Sequence, residues 1–268
     1  MMSDNTERWR IEREKHPFFG ESVSKSEYEK VWDDAADRYD DAGVGTLKDE
    51  IIQRIFDLSI IDSDTHVMDV GSGPGTYSIP FSERCVSVVC LDGSQKMLDR
   101  IISKGIGNIR CIRADWDLFD TDERFDVVFS SLCPALNNPV SLLKMESFSE
   151  GYCVYVSSMN DDTSSLRRDI WKEFGKDYSM NGYDTRFPFT FLKENGRTPA
   201  LEVFETSSPS EMSESETADK EAEYFSRYMT VDRNVRSRIE DVIRNHAEDG
   251  IIHLEGEKRL GLLYWKPL

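Results

Sequence analysis

An α/β fold built on a doubly wound, mostly parallel sheet is what this sequence predicts, and three observations carry the prediction. Short apolar runs alternate with segments of helical period from residue 47 to residue 157, the pattern of strands joined by crossover helices. The first run, Val67-Met-Asp-Val, passes directly into the glycine turn Gly71-Ser-Gly-Pro-Gly. The runs are also nearly unbroken, as in Val127-Val-Phe, which suits strands buried on both faces.

In chain order, residues 1–45 set Trp9, Phe18, Phe19, Tyr28, Trp32 and Tyr39 among many charges and are expected to form a helical cover. Apolar positions at 47, 51, 55 and 58 predict a helix over 47–61. Strands follow at 66–70, 86–92, 109–114, 125–131 and 151–157, with helices at 76–83, 94–104 and about 138–147. Glycines at 71, 73 and 75 let the backbone adopt positive φ and approach a ligand closely. The helix after them opens with free N–H groups. Beyond Ser157 a helical stretch near 164–176 precedes the aromatic segment Tyr178 to Phe191 and a short strand from Leu201. Residues 207–216 read as turn-like, and Ser213 with Glu216 forms a capping box for a helix reaching Met229. A helix over 232–247 leads to two apolar runs, from Ile251 and to Trp265, read as a hairpin around a polar turn. The expected division is a cover over 1–45 and one domain over 46–268, with substrate-side insertions at 160–198 and 207–248.

The 268 residues suffice for a sizeable core, and 38% hydrophobic with 11% aromatic content fits a globular chain. A net charge of −18 disfavours nucleic acid and anionic membranes as partners. No apolar run approaches the ~20 residues of a membrane span, and the start lacks the basic and apolar regions of a signal peptide, so a cytoplasmic location is expected. Five cysteines without a C-x-x-C pair read as reduced core residues, and four scattered histidines predict no metal site.

Four features recur in a fixed order. Asp69 stands two residues before Gly71-x-Gly73-x-Gly75. Asp92 closes the second run and is followed by Gly93-Ser-Gln-Lys-Met97-Leu. Asp115-Trp116 closes the third, and Ser130-Ser131 the fourth. A dinucleotide fingerprint would instead need a third small residue at 76, where Thr76 stands. Taken together these motifs resemble the class I S-adenosylmethionine-dependent methyltransferases, over about residues 60–160. The resemblance implies a Rossmann-like, seven-stranded, mostly parallel sheet ending in an antiparallel hairpin. It also implies S-adenosylmethionine as cofactor and methyl transfer to a small-molecule acceptor.

On that resemblance, Gly71, Ser72, Gly73 and Gly75 approach the cofactor's amino-acid part, and Asp69 orders the turn or meets the ammonium. Asp92 and Gly93 serve the ribose, with Met97 following them. Asp115 and Trp116 hold the adenine, while Ser130, Ser131 and Leu132 lie under the sulfonium. Trp32 and Tyr39 resemble the aromatic segment that covers the cofactor. Each has a plain structural alternative: a turn cap for Asp69, a helix cap for Asp92, a surface turn for Asp115-Trp116, a strand end for the serines. Trp171, Tyr178, Tyr183, Phe187 and Phe189 either line the acceptor pocket or are ordinary core. Cys133 before Pro134 reads as packing and a turn, and no catalytic base is nominated. Two other functions remain open here: a propylamine-type transferase using a related nucleoside, and a non-catalytic binding protein whose acidic 205–223 segment meets a partner.

Overall fold

A computed structural model of the chain describes residues 4–15, 25–36, 45–159, 165–177, 181–226, 228–254 and 256–268. The apolar runs become β1 (His66–Val70), β2 (Ser87–Asp92), β3 (Ile109–Arg113), β4 (Phe125–Ser131) and β5 (Ser149–Ser158). All four pairings among them are parallel. Side chains alternate across the sheet, and both faces are covered: Met68, Val70 and Val128 enter one core, and Val67, Val127 and Phe129 the other.

Ten helices are described: α1 (Asp4–Glu14), α2 (Lys25–Ala36), α3 (Gly45–Asp57), α4 (Ser78–Ser82), α5 (Gln95–Ile102), α6 (Pro139–Lys144), α7 (Ser165–Glu173), α8 (Arg186–Glu194), α9 (Glu214–Phe225) and α10 (Arg233–His246). α3 buries Leu47, Ile51, Ile52 and Ile55. It stops before the expected end at 61, because Ser59 turns to φ 52° while the Ile60 N–H returns to the Ile55 carbonyl. Local signals set other ends. Ser94 accepts from the Met97 N–H to cap α5, and Asn138 caps α6 with Pro139 next, where a missing N–H costs nothing.

The remaining strands are β6 (Ala200–Ser207), β7 (Ser210–Ser213), β8 (Ile251–Leu254) and β9 (Glu257–Trp265). The large sheet runs β3-β2-β1-β4-β5-β9-β6, with β9 antiparallel to both β5 and β6. An antiparallel pair thus closes the sheet, but its partners differ from the expected hairpin over 251–265. β8 pairs with β7, Ser213 opposite Ile251, in a separate two-stranded sheet. Gly256 separates β8 from β9 at φ 62°, where a Cβ would stand 2.1 Å from the Ser208 carbonyl oxygen. Residues 210–213, expected to be turn-like, supply the other strand.

β7 and β8 belong to a lobe with its own core, in which Leu166, Ile170, Trp171, Ala218, Phe225, Ile239, Ile243 and Ile252 meet. The Ser213–Glu216 capping box is present at the start of α9. The chain leaves the large sheet for this lobe after Ser158 and Ser207 and returns at Glu257. By the strand directions, all three points lie on the sheet's carboxyl edge.

α1 is keyed into the body of the protein. Trp9 is fully buried, and its Nε1 donates to Asn137 Oδ1 at 3.1 Å and to the Gly182 carbonyl at 3.0 Å. Only glycine fits at 182, since a Cβ there would lie 2.6 Å from Arg13 Cα.

Candidate functional site

β1 has β2 on one side and β4 on the other, so the strand order reverses beside it, and open α/β sheets form ligand crevices at the carboxyl ends of such strands. A cleft opens there. Its walls come from the ends of β1 and β2, the turn after β3, the segment after β4, and Trp32 of α2.

The three glycines of the turn have positive φ for different reasons. A Cβ on Gly71 would lie 2.4 Å from Cys133 Sγ, so Gly71 permits close packing of β1 against the segment after β4. Gly75 faces inward, its Cβ position 3.0 Å from Ile79 and Ile101. At Gly73 nothing lies within 4 Å of that position. Gly73 lines the cleft, and its N–H donates to Asp92 Oδ2 at 2.8 Å.

Asp92 ends β2 with its other oxygen, Oδ1, accepting from the Ser94 N–H at 2.8 Å. The cap of α5 is Ser94 itself, so Asp92 is not the helix cap that was its plain alternative. Burial raises its carboxyl pKa, the N–H groups of Ser94 and Gly73 oppose the rise, and the charge of Asp33 adds to it. Each carboxylate oxygen has two lone pairs, so the backbone donors around Asp92 leave acceptor capacity toward the cleft.

Trp116 is 2% exposed. Its Nε1 donates to the Ser141 carbonyl at 3.1 Å, Phe148 stands edge-on at 5.6 Å, and the Lys144 ammonium sits 4.9 Å from the ring centroid. Asp115 Oδ1 accepts from the Asp117 N–H at 2.9 Å, which fixes this turn. Across the cleft, Leu132 adopts φ 49°, a rare conformation for a branched residue. Cys133 follows, its thiol pushed up to about 12 by burial, and is therefore a neutral packing group.

Of the residues the sequence nominated, Trp32, Gly71, Gly73, Asp92, Gly93, Met97, Asp115, Trp116 and Ser131 line the cleft. Tyr39 and Tyr178 lie outside the described residues. Asp69, Ser72, Gly75 and Ser130 do not line it. Strand parity explains Asp69: Val70 reaches the cleft, so Asp69 points to the opposite face, where it is buried and accepts from the Ser78 hydroxyl. It orders the turn by tying β1 to α4. The Ser130 hydroxyl donates to the Val70 carbonyl at 2.7 Å and joins two strand ends. Trp171 sits in the second lobe's core, and Tyr183, Phe187 and Phe189 pack without lining the cleft. The lining residues that the sequence does not nominate include Ser94, Cys133, Pro134 and Ala135. Their signal was position: each follows an acid or a serine that closes a strand.

Asp69 carries a testable consequence. Burial raises its carboxyl from 3.8 to about 7, the Ser78 hydroxyl opposes this, and the Asp92 charge reinforces it. Between those values the folded chain keeps a proton that the unfolded chain has lost, so stability falls as pH rises through this window. Asp69→Asn imitates the protonated group, and its stability at pH 8 is expected to exceed the parent's by about 2–4 kcal/mol. At pH 4 the two should nearly coincide. Urea unfolding at both pH values measures the gap, and an equal gap at the two would refute the burial argument.

Among the described residues no group of three or more His, Cys, Asp or Glu is placed to hold a metal ion, and no helix is long and apolar enough to cross a membrane.

Residues 67–145 match a family model described as a methyltransferase domain. An uncharacterized protein of Haemophilus influenzae is 30% identical over 84 residues, which cover 30% of this chain and 31% of that protein. Among solved structures, a candidate methyltransferase of Bacillus halodurans superposes with a TM-score of 0.54 at 16% identity, covering 81% of this chain and 99% of its own. Magnesium protoporphyrin IX methyltransferase of Synechocystis PCC 6803, solved with bound S-adenosylhomocysteine, gives 0.52 at 13% identity, covering 96% of this chain and 99% of its own. At such identities the likeness is one of fold.

Proposed function

We propose, for a chain whose residues 67–145 match a methyltransferase domain, that the cleft binds S-adenosylmethionine and that the protein transfers its methyl group to a small-molecule acceptor. The observation that supports this best is the joining of Asp92 to Gly73. A carboxylate with spare lone pairs, at the end of β2, is held by the one glycine of the 71–75 turn whose Cβ direction is open. The residues fit the cofactor part by part. Asp92 suits a diol, Trp116 with Met97 a flat heterocycle, and the backbone at Gly71 and Gly73 a zwitterionic tail.

S-adenosylmethionine supplies a methyl group on a sulfonium, already an excellent leaving group for in-line displacement at carbon. What the chain contributes is alignment and the exclusion of water. Asp92 fixes the ribose end, Trp116 the adenine end, and Ser131 with Leu132 shapes the wall after β4 where the acceptor approaches. Trp32 covers the opening. The described wall after β4, Leu132 to Ala135, carries no base, since Cys133 is neutral. An amine or a thiolate acceptor would need none, whereas a hydroxyl would. The second lobe leaves the sheet at the same carboxyl edge as the cleft, which supports reading it as the substrate-side part of the chain.

Titration calorimetry with S-adenosylhomocysteine is expected to give micromolar binding, about −8 kcal/mol. Absence of both heat and a thermal shift would overturn the cofactor reading.

A further inference from the structure

α2 is anchored to α5 at two points. Asp33 Oδ1 accepts from the Ser94 hydroxyl at 2.5 Å, and Arg100 Nη1 donates to the Ala36 carbonyl at 2.8 Å. Ser94 is the pivot. Its hydroxyl oxygen accepts from the Met97 N–H, and its own N–H donates to Asp92. A continuous set of hydrogen bonds therefore runs from Asp33 through Ser94 and Asp92 to the Gly73 N–H. Trp32, one residue before Asp33, lines the cleft.

We propose that Asp33 is a positioning residue that seats Trp32 over the cleft through Ser94, so that docking of α2 and binding of the cofactor's ribose favour one another. This rests on the cleft taking a nucleoside cofactor. Two carboxylates flank one serine here, and the charge of Asp33 opposes ionisation of Asp92. Ser94 offsets that repulsion by giving its O–H to one carboxylate and its N–H to the other. Ligand hydroxyls that donate to Asp92 spread its charge further, which lowers the cost of keeping Asp33 seated. By reciprocity a seated Asp33, and with it Trp32, raises affinity for the ligand.

Trp32 supplies its own readout. Of the five tryptophans in the chain, Trp9, Trp116, Trp171 and Trp265 are at most 2% exposed, whereas Trp32 is half-buried. Acrylamide quenching of the full chain therefore reads Trp32, and Trp32→Phe should abolish the quenchable fraction. S-adenosylhomocysteine is expected to reduce quenching in the parent. Asp33→Ala should raise quenching without ligand, abolish the protection by ligand, and weaken affinity about tenfold. Asp33→Asn keeps an acceptor for the Ser94 hydroxyl and should restore most of both. Arg100→Ala frees the same helix at its other anchor and should shift quenching in the same direction, so it decides the matter if Asp33→Ala does not fold. Parent-like quenching and affinity in Asp33→Ala, or in Arg100→Ala in that event, would overturn the proposal while leaving the cofactor reading intact. A parent chain that does not bind S-adenosylhomocysteine would remove both.

Discussion

Asp92→Ala is expected to weaken S-adenosylhomocysteine binding by about two orders of magnitude while the chain stays folded. A hydrogen bond to a charged acceptor contributes about 1.5–3 kcal/mol, and two ribose hydroxyls can share this carboxylate. Water entering the space of the lost side chain recovers part of that, which leaves a net loss near 3 kcal/mol. The structure adds a second source of loss. Without Asp92 the N–H groups of Gly73 and Ser94 lose their acceptor, so the turn and the start of α5 are less ordered before the ligand arrives. Folding should tolerate the change because the raised pKa of Asp92 means its ionised form is unfavourable in the folded chain above the ordinary carboxylate range. Asp92→Asn separates the two sources. Its amide oxygen can still accept from Gly73 or Ser94 but not serve both N–H groups and both hydroxyls, so an intermediate affinity is expected. Calorimetry on the three proteins, with urea unfolding as the control for folding, makes the comparison. Unchanged affinity in a folded Asp92→Ala chain would mean that the carboxylate serves only the turn.

The parts of this site that were legible in the sequence are those whose cause is local. Asp92 and Gly73 stand where a strand ends and a turn begins, and a run of apolar residues followed by an acid or a glycine states that directly. The boundaries of β1 and β4 match for the same reason, and so does the capping box of α9. Other features depend on partners far away in the chain. Nothing near Ile251 says that β8 pairs with residues 210–213 rather than with its neighbour β9, because Ile252 finds its burial in a core assembled from α7, α9 and α10. Likewise Trp9 reads as one aromatic among charges, and it becomes core only when Asn137 and Gly182 meet its indole N–H. α8 lies in the aromatic segment Tyr178 to Phe191, where Arg186-Phe-Pro-Phe-Thr-Phe shows no clear helical period. Its proline falls in the first turn, where a helix tolerates it, and Phe191 with Leu192 supplies the buried face. Asp69 is a different case. Of the two roles the sequence allows it, ordering the turn or meeting the ammonium, strand parity selects the first once Val70 faces the cleft.

Glu146→Ala is expected to cost about 3–5 kcal/mol of stability, a large share of the 5–15 kcal/mol typical of a folded chain. Glu146 lies in the 3₁₀ turn after α6 and is 12% exposed, and its partner Arg197, in the connection from α8 to β6, is 15% exposed. The pair is bidentate: Arg197 Nε donates to Oε1 at 3.0 Å and Nη2 to Oε2 at 2.7 Å. Oε1 also accepts from Trp265 Nε1, at 2.7 Å, at the end of β9. One carboxylate thus joins three segments distant in sequence around the strand that closes the sheet. Alanine would leave a largely buried guanidinium without its counter-charge and a buried indole N–H without its acceptor. Both penalties fall on the folded state alone, since water satisfies these groups in the unfolded chain. Glu146→Gln keeps an acceptor for Trp265 but sets an amide against Arg197, so it should cost less than alanine and still more than a surface substitution. Removing the stranded charge as well, in Glu146→Ala with Arg197→Met, should recover a substantial part of the loss, because an apolar side chain accepts burial that a lone guanidinium does not. Urea unfolding of these proteins, with Arg197→Met alone to complete the cycle, gives the coupling. A cost under about 1 kcal/mol for Glu146→Ala would place the pair with solvated surface ion pairs, and the closing strand would then owe its position to Trp265 packing and backbone pairing alone.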